Sequence, residues 1–315
     1  MNLYIYPDVS EASNNKSGPV VGMKLLQRHM LDIIKETGVT DIHITKSYST
    51  LKSSIVWHWN VFSSVDSIKG ILEKGNTLIC GPNTFFSSPS KGIKDHEMFI
   101  FECGKIKEFM LHPRQYSKYD FIHSPKNTVH NFYYPVDVDR INSVIATDSD
   151  TVRDIDVLIY CKFNYQKYLE YFVQNSKNTL KMEIVIYGAY NQTDLLKLAR
   201  RSKCCLYLSY GETGGIAICE ILCCGCPIIG YRENLNLGEH DINCYKLDSN
   251  DVIIKHSDKL DDIIERVQGY DHCSIMRNAQ LKYNPRSVAL NTLNTLSTIL
   301  RTYAKSGRVE QNIQC

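Results

Sequence analysis

No apolar run in the chain approaches the roughly 18 residues that a membrane-crossing helix needs, so no transmembrane segment is expected. The opening MNLYIYPDVSEAS carries neither a basic stretch nor a long apolar one, so no secretory leader is expected either. Blocks of lysine and arginine are lacking, and the net charge is only +2, with both signs spread along the sequence. That excludes the electrostatic footprint of a nucleic-acid-binding protein. Internal repeats and low-complexity segments are also missing, which excludes a solenoid or a biased linker. Cysteine is not scarce: there are 12. In a chain of this size without an export signal they read as reduced, mostly buried thiols of a cytoplasmic protein. Cys223 and Cys226 form a C-x-x-C, but zinc would need two further ligands, for which Cys204 and Cys219 are the candidates.

What is present is an alternation. A length of 315 residues with 43% hydrophobic content suits two domains with full cores. In the first half, LYIY, DIHIT, SSIVWHW, NTLICG and YDFIHS read as strands, with helices over Val20–Lys35 and Val65–Lys74. In the second half, DVLIYC, EIVIYG, CCLYLSY and CPIIGY read as strands. Helices are expected there over Gln166–Gln174, Thr193–Arg201 and Ala217–Cys224, with a last one over Pro285–Tyr303. Strands alternating with helices imply an α/β class with doubly wound parallel sheets. The seam falls near Tyr133–Ile141, giving domains over 1–138 and 139–285.

The chemistry concentrates in SYGETGGIAICEILCCGCPIIGY, Ser209 to Tyr231. Glu212 follows a strand-like run, Gly214 and Gly215 follow it, and Glu220 stands eight residues after Glu212. Strand, glycine turn and helix aim free backbone N–H groups at a ligand. Two carboxylates beside such amides suit the vicinal hydroxyls of a sugar and a ribose, which donate to carboxylate oxygens.

This stretch resembles the donor-binding segment of retaining family 4 glycosyltransferases, E-G-F-G-x-x-x-x-E-A-x-A-x-G-x-P. Gly214 stands in place of the usual aromatic residue and Ile221 in place of alanine. The resemblance implies the GT-B fold, two Rossmann-like domains facing a central cleft, with a C-terminal helix (286–315) returning to the first domain. Its small-residue positions coincide with Cys223–Cys226, which favours packing over zinc there. Pro135-Val136-Asp137 resembles the family's interdomain turn. Leu237–Asp248 resembles its late glycine loop, with Cys244 where glycine is usual. The site roles implied are specific. Glu212 is the catalytic-position carboxylate and, with Gly214, Gly215 and Ile216, holds the donor sugar. Glu220 holds the ribose. Lys162 and Lys167 match the family's Arg and Lys on the donor diphosphate, and Gly18 opens the helix whose amides face it. Gly188 and Tyr190 fall on the base side. The shortness for this family and the lack of N-domain insertions resemble its virus-encoded members.

Two residue types complicate this reading. Asp137–Asp139, Asp148–Asp150 and Asp154–Asp156 each spell D-x-D, a metal-binding pattern elsewhere, but here they cluster near a linker and read as turn chemistry. No histidine follows NTLICG, where many family members carry one, which leaves His58, His112 and His123 as candidates in the first half. The expectation is a retaining hexosyltransferase that needs no metal or other cofactor. Its donor would be a nucleotide-diphospho-sugar, GDP-mannose ahead of UDP-sugars. Its acceptor would be a glycan or glycoprotein, and a homodimer is compatible with the reading. The rivals are a sugar-nucleotide epimerase or hydrolase on the same fold, and a non-catalytic nucleotide-sugar-binding subunit.

Overall fold

Strands that are apolar on both faces can be covered only when helices lie on both sides of their sheet. The chain meets that condition twice. The structure, a computed structural model, describes residues 1–12, 19–60, 65–83, 106–113, 126–146, 152–162, 169–170, 173–174, 180–208, 215–231, 244–247 and 264–306. Its strands are β1 (Leu3–Tyr6), β2 (Ile42–Ile44), β3 (Ile55–Asn60), β4 (Thr77–Asn83), β5 (Glu108–Leu111), β6 (Thr128–Asn131), β7 (Ile155–Cys161), β8 (Met182–Ile186), β9 (Ser202–Leu208), β10 (Ile228–Tyr231) and β11 (Cys244–Leu247). Its helices include α1 (Pro19–Thr37), α2 (Val65–Glu73), α3 (Val138–Ala146), α4 (Gln192–Arg201), α5 (Ile216–Cys223), α6 (His272–Tyr283) and α7 (Pro285–Ser306).

The chain divides into two compact units, Met1–Pro135 with Pro285–Cys315, and Val136–Asn284. In the first, a parallel sheet runs β2-β1-β3-β4-β5-β6. Val56, Leu78, Cys80, Phe109 and Leu111 on one face pack with Ile68 and Ile71 of α2. The alternate positions Leu3, Ile5 and Trp57 are also fully buried, as period-two geometry requires of a sheet covered on both sides. Helices α1 and α7 pack on each other. The buried Gln27 of α1 closes the loop after β1. Its Oε1 accepts from Val9 N at 2.7 Å and its Nε2 donates to Pro7 O at 2.9 Å.

In the second unit the parallel sheet runs β11-β10-β9-β7-β8. Counted within each unit, both sheets begin second-first-third-fourth-fifth, so each reverses its winding direction beside its first strand. Val157, Ile159, Cys161, Cys204, Leu206 and Leu208 face one core with Ile264 and Val267. Helix α4 buries Leu195, Leu196 and Ala199, at roughly 1.5–3 kcal/mol for each leucine removed from water. Asn191 caps it, its side chain accepting from Thr193 N at 2.8 Å.

The structure corrects several expectations. Cys244–Leu247, expected in a loop, forms strand β11 paired with β10. The acidic seam contains helix α3, capped by Asp137, whose Oδ1 accepts from Arg140 N at 3.0 Å. Strands β5 and β6 and helix α6 occupy segments to which no element was assigned. The expected strand at Tyr119–Ser124 lies outside the described residues, and so does most of the expected helix Gln166–Gln174.

Candidate functional site

Ligands of open α/β sheets bind beyond the carboxyl ends of the strands, where the winding reverses. In the second unit that place lies between β7 and β9, with β8 beyond one and β10 beyond the other. The next residue after β7 is Lys162. Its backbone N–H donates to Leu208 O at the end of β9, 2.9 Å away. Its ammonium lies 4.7 Å from the centroid of the Tyr187 ring, an orienting contact that leaves the charge on the nitrogen. Tyr187 is itself tied to the end of β7, its N–H donating to Cys161 O at 2.9 Å.

The turn after β8 contains Gly188, at φ +85°, and leads to Tyr190. The Tyr190 hydroxyl lies 3.4 Å from that of Tyr160. Tyr160 stacks on Tyr207 across β7 and β9, with centroids 4.7 Å apart and planes within 7°. Tyr160 and Tyr207 are fully buried, and Tyr190 meets Tyr160 edge-on with centroids 5.9 Å apart.

After β9 the chain re-enters the described residues at Gly215. It adopts the left-handed conformation, φ 53° and ψ 44°, at the N-cap of α5. A non-glycine residue would be disfavoured there. Helix α5 is apolar almost throughout and buried over Ala217–Cys223. Glu220 is the exception in character but not in burial: it is only 7% exposed. Its Oε1 accepts a short hydrogen bond from Gln192 Nε2 at the start of α4. Gln192 Oε1 accepts in turn from Arg140 Nη1 of α3 at 2.7 Å. Burial pushes the Glu220 carboxyl up to about 7; the Gln192 bond and the Arg140 charge pull it down, and Asp137 adds a smaller upward push. An acid tuned to neutral pH by burial, at the end of a sheet, is a mark of a functional position.

The far ends of α4 and α5 share one anchor. The Arg153 guanidinium donates to Ala199 O at 3.2 Å, Cys224 O at 3.0 Å and Gly225 O at 3.1 Å, and also to Ser202 O. Gly225 has φ +77°, and a Cβ there would meet His272 O at 2.6 Å and Arg153 Nη2 at 2.9 Å.

The structure therefore brings Lys162, Gly188, Tyr190, Gly215, Ile216 and Glu220 to segments that follow β7, β8 and β9. Gly18, Lys167, Glu212 and Gly214 lie outside the described residues. Gln192, Arg140, Tyr160 and Tyr207 were not anticipated. A capping asparagine, Asn191, could have marked the start of α4, but nothing in the sequence pairs Gln192 with Glu220.

The other described candidates have packing or ion-pair partners, and the Asp148–Asp150 triplet lies outside the described residues. His58 is buried in β3, edge-on to Tyr6 at 4.9 Å, and the buried His112 is edge-on to Tyr133 at 5.4 Å. Both belong to the first unit's core, and His123 lies outside the described residues. Asp154 accepts from Arg201 at 2.9 and 2.6 Å and from Lys181, which together hold its carboxyl well below the usual range. Asp156 accepts from Lys203 Nζ at 2.6 Å and Lys181 N at 2.8 Å. Among the described residues no group of three or more His, Cys, Asp or Glu is placed to hold a metal ion. Among the cysteines whose side chains are described none is in a disulfide, and all but Cys273 are buried. Burial pushes the Cys204 thiol up to about 12, which leaves it unreactive. No described helix is long and apolar enough to cross a membrane.

No protein-family model matches the sequence, and no curated protein matches it. Solved structures do match the fold. AviGT4, a glycosyltransferase involved in avilamycin A biosynthesis, aligns at a TM-score of 0.52 and 13% identity over 93% of this chain and 96% of that one. HepE of Anabaena, solved with UDP and glucose, aligns at 0.55 and 12% identity over 94% and 99%. The lipopolysaccharide outer core galactosyltransferase WaaB aligns at 0.51 and 11% identity over 95% and 99%. The fold shared with these proteins is GT-B, two Rossmann-like units each built on a parallel sheet.

Proposed function

We propose that the chain is a retaining hexosyltransferase that moves a sugar from a nucleotide-diphospho-sugar to a glycan or glycoprotein acceptor. The observation that carries this reading is Glu220: a buried carboxyl on α5, one turn and more beyond a left-handed glycine, at the winding reversal of the second sheet. In this reading the Glu220 carboxylate accepts from the ribose hydroxyls. Lys162 and Lys167 meet the diphosphate, with the Gly18 loop contributing amides. Glu212 and the backbone of Gly214, Gly215 and Ile216 hold the sugar. Tyr190 and Gly188 border the base.

The chemistry then needs positioning and charge compensation more than a covalent partner. The acceptor oxygen attacks the anomeric carbon from the side on which the diphosphate departs, and the glycosidic C–O bond to phosphate breaks. The acceptor's proton passes to the leaving phosphate oxygen, and the lysines stabilise the negative charge that develops there. No metal is assigned a role. GDP-mannose is the first donor to test, and UDP-glucose the second, since HepE was solved with it.

Calorimetry with GDP, UDP, ADP and their hexose conjugates tests binding, and radiolabelled transfer to glycan acceptors tests the reaction. Glu220→Ala should weaken nucleoside diphosphate binding by roughly ten- to a hundredfold, the loss of charge-assisted hydrogen bonds. Unchanged affinity in that variant overturns the assignment of Glu220. Sugar release without any acceptor would make the enzyme a hydrolase.

A further inference from the structure

We infer that Arg140 and Gln192 are positioning residues for Glu220: Arg140 fixes which end of the Gln192 amide faces α5, and Gln192 then holds Oε1 of Glu220, leaving Oε2 for the ligand. This rests on the reading of Glu220 as the ribose-binding carboxylate.

The argument begins with donors and acceptors. A guanidinium has only N–H donors, so the Gln192 atom 2.7 Å from Arg140 Nη1 is the amide oxygen. The amide nitrogen is thereby turned toward Glu220 and donates to its Oε1. With the amide reversed, its oxygen would face the carboxyl, an arrangement tolerable only to a protonated acid. Arg140 removes that alternative, because a reversed amide would set two donors against each other.

Each partner is itself held. The start of α3 is fixed by Asp137, which caps Arg140 N, and the start of α4 by Asn191, which caps Thr193 N. The three helices pack on one another. Among the described residues, the charged and titratable groups around Glu220 are Arg140 from α3, Asp137 at its cap, and the thiols of Cys223 and Cys224 from α5 and its C-cap. From α6 the neighbour is the neutral amide of Gln280, which donates to Cys223 O at 3.0 Å and Asn142 Oδ1 at 2.8 Å. Of these groups, Arg140 is the cation, and it acts on the carboxyl both directly and through the amide.

The test is a carboxyl titration. In protein labelled with carbon-13 at the glutamate side-chain carboxyl, the Glu220 resonance is identified by its absence from Glu220→Gln. Arg140→Met and Gln192→Leu should each move its midpoint upward by about one pH unit or more, since each loses an interaction that favours the charged form. Arg140→Lys keeps a donor and should restore most of the wild-type midpoint. The double variant should shift no further than Gln192→Leu by more than the direct charge effect. Arg140 is exposed, so its replacement leaves the packing intact, and a native amide spectrum checks the fold of each variant. An unmoved midpoint in folded Gln192→Leu or Arg140→Met overturns the inference. UDP and GDP binding is measured in parallel. If Glu220→Ala leaves their affinity unchanged while the midpoints move as expected, the ligand assignment fails and the positioning relay stands. If Glu220→Ala weakens binding and the midpoints do not move, the reverse holds.

Discussion

Replacing Glu220 with glutamine should stabilise the protein, and only above acid pH. The carboxyl is nearly inaccessible, and its burial lifts it from 4.5 to about 7. Below about pH 4 it is protonated whether the chain is folded or not, so it contributes no pH-dependent difference. As the pH rises above 4.5 the unfolded chain ionises first, and stability is lost until the folded carboxyl ionises as well, near 7. From 4.5 to about 7, at ~1.36 kcal/mol per pH unit, the loss is about 3 kcal/mol. A domain's whole stability is only about 5–15 kcal/mol, so the difference is large. Glutamine keeps the shape, stays neutral and can turn its carbonyl toward the Gln192 amide. Urea unfolding of both proteins from pH 4 to pH 8 gives the stability difference from the midpoints and slopes. Amide exchange along α5 reports the unit concerned directly. The two proteins should coincide near pH 4, differ by under about 1 kcal/mol at pH 5, and differ by about 3 kcal/mol at pH 8. A difference independent of pH, or a variant less stable than wild type at pH 8, refutes the reasoning.

Glu212→Ala should abolish measurable transfer while leaving nucleoside diphosphate affinity nearly unchanged in calorimetry; a variant with wild-type turnover removes Glu212 from the site. Lys162→Ala and Lys167→Ala should each lower transfer more than they lower binding of a nucleoside without phosphates, with the double variant worse but not additively so. Donor binding should survive EDTA and weaken with salt through screening; strict manganese dependence with indifferent lysines contradicts the metal-free mechanism. Gly225→Ala forces a side chain into a left-handed position 2.6 Å from His272 O, and should cost roughly 1–3 kcal/mol or more in thermal unfolding.

The second sheet was legible where burial on both faces writes an unbroken apolar run. IDVLIYC and SKCCLYL carry Val157, Ile159, Leu206 and Leu208 to one side and Tyr160 and Tyr207 to the other. Helix α5 was legible because glycine opens it and G-x-P closes it. Strands β5 and β6 were not: EFML and TVHN are short and carry polar residues at positions that interior strands usually fill with aliphatics. Helix α3 was hidden by its acidic flanks, although Val138 and Ile141 are the buried, helically spaced pair that a core-facing stripe requires. Within the site, Glu220 could be named from the strand, glycine turn and helix around it together with the family resemblance, and Lys162 from the resemblance alone. Gln192 and Arg140 could not, since their meaning comes from three helices distant in sequence meeting at one carboxyl.

Arg153 stands at the opposite ends of the two helices that carry Gln192 and Glu220, and its four carbonyl partners include the last carbonyls of both. Helix C-termini present partial negative charge, and a single guanidinium answers two of them at once. Two short, stiff rods riveted at one end have little freedom to splay at the other. At about 1.5 Å per residue, the ten residues of α4 set a lever of about 15 Å between rivet and Gln192. A few degrees of pivot at Arg153 would open the Gln192–Glu220 contact by a sizeable fraction of an ångström, enough to break a hydrogen bond. The stiffness of the Gln192–Glu220 contact is therefore set from the far ends of α4 and α5, through the carbonyls that Arg153 gathers.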